Sequence, residues 1–212
     1  AEANATYGHI SDWNTSAVTN MAYTFKDRTT FNENIGAWNV SKVTNMKMMF
    51  RNAHSFNQPI GDWDISSVTN MKSMFFGASS FNQPIGNWNT SNVVNMREMF
   101  WKAFVFDQPI NDWNASSVTE LNLIFRSAIA FNQDISNWNV SSVNDFEDAF
   151  FESDSMSNQN KGLIHKAFSS NPNWPYDWSE FVLTSGESTT NDSQDIKTET
   201  QKKESFIPIV RT

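Results

Sequence analysis

The chain has 212 residues, a formal net charge of −8 and no cysteine, so disulfides and thiolate metal sites are excluded. A pI near 4.8 argues against nucleic acid and anionic membranes as partners, since both need clustered Lys and Arg. No stretch approaches the roughly 18 apolar residues of a membrane span, which argues against membrane insertion.

Taken in chain order, the sequence is a repeat. Trp13, Trp38, Trp63, Trp88, Trp113 and Trp138 stand 25 residues apart, and so do Phe25, Phe50, Phe75, Phe100, Phe125 and Phe150. A strict period means one structural unit copied, each copy burying its apolar face on the next. The first copy is incomplete, with Thr6 in the Phe place and Arg28 in the Ala place. In the copy from Trp63 to Asn87 the positions that stay apolar are Trp63, Val68, Met71, Met74, Phe75, Ala78, Phe81 and Ile85.

Ile60–Asp64 reads as a short strand that pairs in parallel with its copies, with Pro59, Pro84 and Pro109 limiting the pairing. Asn/Asp-x-Ser follows in each copy, as in Asn39-Val40-Ser41 and Asp64-Ile65-Ser66. The Asn forms match a glycosylation acceptor pattern. Asp64 favours an Asx-turn instead, since Asp keeps the acceptor oxygen and cannot carry a glycan. Val68–Ala78 then has the apolar spacing of a short helix, with Thr69 as its N-cap and Asn70 presenting an acceptor to its first turn. Asn144 and Glu147 resemble a capping box in the last copy.

After Phe150 the pattern fails. Residues 155–183, with an amphipathic run 161–168 and aromatics from Trp174 to Phe181, read as a cap over the last copy. Residues 184–205 are Ser, Thr, Asp, Glu and Lys with almost nothing apolar, the composition of a linker. Residues 206–212 read as the first strand of a following domain. The fold expected is therefore an α/β repeat solenoid of about six coils over residues 1–154, each coil a short strand in a parallel ladder plus a short helix, closed by that helical and aromatic cap.

The repeat Phe56-Asn57-Gln58-Pro59-Ile60-Gly61-Asp62-Trp63, running on to Ala78, resembles the bacterial surface protein repeat of about 25 residues, the DUF285 family, similar to BspA-like leucine-rich repeats. The resemblance covers residues 10–154. It implies an extracellular or cell-surface setting and a role in adhesion or recognition, with no catalytic residue to carry over.

Nothing in the residues calls for catalysis or a cofactor. His9, His54 and His165 share no repeat position, and no nucleophile, zinc or phosphate-loop motif is present. The acidic or amide position before each Trp could suggest calcium, but Ala37 interrupts it. A line of indoles could stack sugars, yet an invariant repeat position is more naturally core. The variable positions are better candidates for contact. Phe76, Trp101, Phe104 and Ile129 come from adjacent copies and could form one apolar patch, rimmed by Lys72 and Arg97. A protein partner is the first expectation. Glycan binding through exposed aromatics and a purely structural spacer are the alternatives.

Overall fold

The computed structural model describes residues 6–183. The described residues up to Val182 form one compact unit. The expected linker 184–205 and strand 206–212 lie outside the described residues.

The expected solenoid with a strand and a helix in every coil is not formed. Among the described residues there is no strand, and the one full α-helix, α1 (Asn158–Phe168), follows the repeats. Each 25-residue unit is built from overlapping turns.

The segment expected to be helical shows why. The N–H groups of Met74, Phe76 and Ala78 close three-residue turns onto the carbonyls of Met71, Ser73 and Phe75. The intervening N–H groups of Met71, Ser73, Phe75 and Gly77 point the other way. They donate to Asn95, Arg97, Met99 and Trp101 of the next unit at 2.7–3.0 Å. This alternation needs left-handed backbone twice per unit. Ser73 and Gly77 have φ of 54° and 67°, and Tyr23, Met48, Glu98, Leu123 and Asp148 share the first position. An α-helix of this length would leave four N–H and four C=O groups unpaired at its ends. The turns pair theirs along the stack, at the cost of left-handed strain at non-glycine residues.

The roles expected at the segment's start change accordingly. Thr69 caps no helix; its N–H and hydroxyl both donate to the Thr44 carbonyl of the preceding unit. The Asn70 side chain does accept locally, from the Lys72 N–H at 3.0 Å. Asn70 also sits in a run of isolated parallel bridges, Asn20 to Asn45 to Asn70 to Asn95 to Glu120 to Asp145. Asn144 and Glu147 form no capping box. The Glu147 N–H is taken by Asp145, two residues back.

Ile60–Asp64 likewise forms no strand, so the prolines have no pairing to limit. The Ile60 carbonyl accepts from the Trp63 N–H and from the Trp88 indole of the next unit. The Pro84 carbonyl lies where a Cβ on Gly61 would come within 2.4 Å, so the close approach of the two units requires glycine there.

The core consists of aromatic columns. The Phe25 to Phe150 rings stack between neighbouring units at centroid spacings of 5.5–5.7 Å. Within a unit, Phe75 and Phe81 are 3.9 Å apart. Beyond Met156, α1 is capped by Ser157, whose hydroxyl accepts from the Asn160 N–H. Trp174 then meets Phe146 edge-on, and the Tyr176 hydroxyl accepts the Phe150 N–H at 2.9 Å. In every earlier unit that N–H finds a carbonyl of the following copy, so Tyr176 stands in for a further unit.

Candidate functional site

Two conserved-looking features of the repeat prove structural. The six Asn/Asp-x-Ser segments are Asx-turns. Asn14, Asn39, Asp64, Asn89, Asn114 and Asn139 each accept the N–H of the Ser two residues on, at 3.0–3.2 Å. Trp38, Trp63, Trp88, Trp113 and Trp138 are buried. Their indole N–H groups donate to Ile10, Ile35, Ile60, Ile85 and Ile110, each 28 residues earlier. A line of sugars stacked on these five rings is therefore ruled out. Trp13 of the incomplete first unit is partly exposed.

The variable positions build a different surface. Phe76 and Trp101 meet edge-on at 4.8 Å, and both are half-buried. They belong to a ladder of cations and rings. The Arg51 guanidinium sits 4.0 Å from the Phe76 ring, and that of Arg126 lies between Trp101 at 5.4 Å and Phe151 at 4.5 Å. Two of the candidate residues are thus held by neighbours within the chain, through cation–π contacts. The other two apolar candidates face solvent. Phe104 is 40% and Ile129 48% exposed, and Val105, absent from the sequence reading, is 44% exposed. Phe104 and Ile129 occupy equivalent positions of adjacent units, three residues beyond Trp101 and Arg126.

The candidate rim converges on a residue that sequence reasoning missed. Glu98 is 8% exposed and accepts from Arg97 Nε at 2.8 Å and from the Ser73 hydroxyl at 2.7 Å. Arg51 approaches the same carboxylate at 3.8 Å. Burial by itself pushes Glu98 up. The hydrogen bonds from Arg97 and Ser73, with the charges of Arg97 and Lys72, outweigh it and hold the carboxyl below its ordinary value. Arg126 forms a second ion pair with Asp148. For the ring and cation contacts the signal was one repeat position, which mixes the two kinds of side chain: Lys26, Arg51, Phe76, Trp101, Arg126, Phe151. Glu98 lies on a different position, which reads Tyr23, Met48, Ser73, Glu98, Leu123, Asp148 and gives no such signal.

Elsewhere, Trp138, Asn139, Val140, Asn171 and Pro172 help to line a cleft of about 200 Å³, below the roughly 300–1,000 Å³ usual for a small-molecule site. None of the six candidate residues lines it.

The architecture defines a tandem-repeat protein whose units are held by columns of hydrogen bonds and stacked rings, with variable side chains displayed between them. The family model described as "Mycoplasma protein of unknown function, DUF285" matches residues 1–104 and 80–171. The chain belongs to this family. No curated protein and no solved structure gives a match.

Proposed function

We propose that the repeats form a non-enzymatic recognition module that meets a protein partner at a cell surface. One observation carries this reading: Phe104, Val105 and Ile129 are exposed where the backbone does not require an apolar residue. Equivalent positions hold Thr29, His54, Ser79 and Asp154, or Thr30, Ser55, Ser80, Ala130 and Ser155, on the same turn geometry. Packing therefore does not account for the three apolar side chains, and clustered exposed apolar groups beside aromatics and arginine have the composition of contact surfaces. The setting at a cell surface is proposed from the repeat's resemblance to bacterial surface proteins.

The test is retention of fluorescently labelled protein on bacterial cells, before and after the cells are treated with protease or with glycosidases. Loss after protease, together with loss in Phe104→Ser/Ile129→Ser, is the expected result. Retention that survives protease and falls with glycosidases would assign the surface to glycan. Equal retention of the variant would remove the patch from the site.

A further inference from the structure

The cations of the repeats are gathered on one strip of the unit. Between residues 1 and 154 there are nine Lys and Arg residues. All except Lys42 fall in the seven positions that run from Lys47 to Ala53 in the second unit and recur every 25 residues. Over all six units these positions hold eight cations against five carboxylates, Asp27, Glu98, Glu147, Asp148 and Glu152, a net of +3 in a chain of −8; in units two to five (residues 47–53, 72–78, 97–103 and 122–128) Lys47, Arg51, Lys72, Arg97, Lys102 and Arg126 face Glu98 alone.

Direct contacts join most of these residues into one surface. Arg97 and Arg51 share Glu98, Arg51 covers Phe76, Phe76 meets Trp101, and Trp101 is flanked by Lys102 at 5.9 Å and by Arg126. Arg51, Arg97 and Arg126 have carboxylates within the chain. Lys47, Lys72 and Lys102 form no ion pair with any described residue, and Lys102 is exposed. The strip therefore has positive charge left over, beside the exposed Phe104 and Ile129.

Resting on the recognition reading above, we propose that the partner is an acidic protein segment: an extended chain whose carboxylates meet Lys47, Lys72 and Lys102 and whose apolar side chains meet Phe104 and Ile129. Charge complementarity selects the acidic character. The repeat selects an extended chain. Lys47 and Lys72 hold equivalent positions of adjacent units, as do Phe104 and Ile129; every second residue of an extended peptide recurs at about 6.6 Å, within about 1 Å of the 5.5–5.7 Å between equivalent rings of adjacent units. A lone apolar partner would leave the strip's charges unanswered, and a purely anionic one would leave Phe104 and Ile129 without a contact.

Fluorescence anisotropy of the full chain with labelled (Glu-Ile)6 tests this against (Gln-Ile)6, a heparin fragment and oligo-dT. Binding of (Glu-Ile)6 that weakens with added salt is expected, with (Gln-Ile)6 weaker. Lys47→Gln/Lys72→Gln/Lys102→Gln should lose roughly tenfold in affinity, three surface pairs acting together. Lys42→Gln, an exposed cation off the strip, should bind as wild type does. Equal binding of the triple variant, or no binding of (Glu-Ile)6, overturns the inference. So does binding of heparin or oligo-dT in place of the peptide. If (Gln-Ile)6 binds as well as (Glu-Ile)6, ignores the lysine variant and is lost in Phe104→Ser/Ile129→Ser, the acidic partner fails while apolar recognition at the patch stands. Cell retention that persists in Phe104→Ser/Ile129→Ser removes the patch itself.

Discussion

At the scale of single residues, the same repeat position can be spent on the scaffold or released from it. Glu98 shows the first case. It occupies a left-handed position, φ 60°, that Ser73 and Leu123 fill in neighbouring units, and its carboxylate gathers Ser73, Arg97 and Arg51. The folded chain holds the carboxyl below its ordinary 4.5, so folding favours the ionised form. The sign follows: this contribution is present above about pH 4.5 and is lost as pH falls through the lower folded value. Denaturant titrations across the acid range should show wild type losing more stability than Glu98→Gln in that window. Parallel pH profiles for the two proteins would contradict the arrangement. Phe104 shows the second case, a large exposed ring on a position that Ser79 fills in the preceding unit.

At the scale of the element, every unit depends on the next to receive its N–H groups, so the last unit has a problem that the segment after it must solve. Tyr176 solves part of it by accepting from Phe150, and Asn171 donates to the carbonyls of Val140 and Val143 at 2.7 and 2.9 Å. Tyr176→Phe leaves a buried N–H without its acceptor and should cost about 1–3 kcal/mol. Burial pushes the Tyr176 hydroxyl up to about 12 from 10.0. Its stabilisation is therefore complete below pH 10 and is lost as pH rises toward 12, a loss that Tyr176→Phe should not show. An unchanged alkaline profile in Tyr176→Phe would mean that the hydroxyl is not buried against the last unit, since burial raises its value and the bond from the Phe150 N–H lowers it.

Sequence was a good guide to what is local and a poor one to what neighbouring units decide. The Asx-turns were legible because each is complete within three residues, and Asp64 discriminated between the two readings of its position. The tryptophan column was legible as core because it does not vary. Helix and strand were not legible. Val68, Met71, Met74, Phe75 and Ala78 have helical spacing and are all buried, yet overlapping turns turn the same side chains inward. What separates the two is where alternate N–H groups go, and those partners lie 24 residues away. The cation–π ladder was written in one repeat position, but Glu98 needed three units brought together before its role could be seen.

At the scale of the whole molecule, the repeat divides into columns that hold the units together and a surface proposed to carry recognition. Trp63, Asn70, Ser73, Phe75 and Gly77 belong to the columns. Lys47, Lys72 and Lys102, with Phe104, Val105 and Ile129 beyond the cationic strip, belong to that surface. The division is tested most directly by regularising one unit, giving unit four the residues of unit three through Trp101→Phe, Lys102→Gly, Phe104→Ser and Val105→Ser. Lys102 has φ 59°, and glycine there relieves about 1 kcal/mol of left-handed strain. The account predicts a melting temperature equal to or above that of wild type, with retention on protease-sensitive cell surfaces abolished. A variant that melts well below wild type, or one that is retained as wild type is, would contradict it.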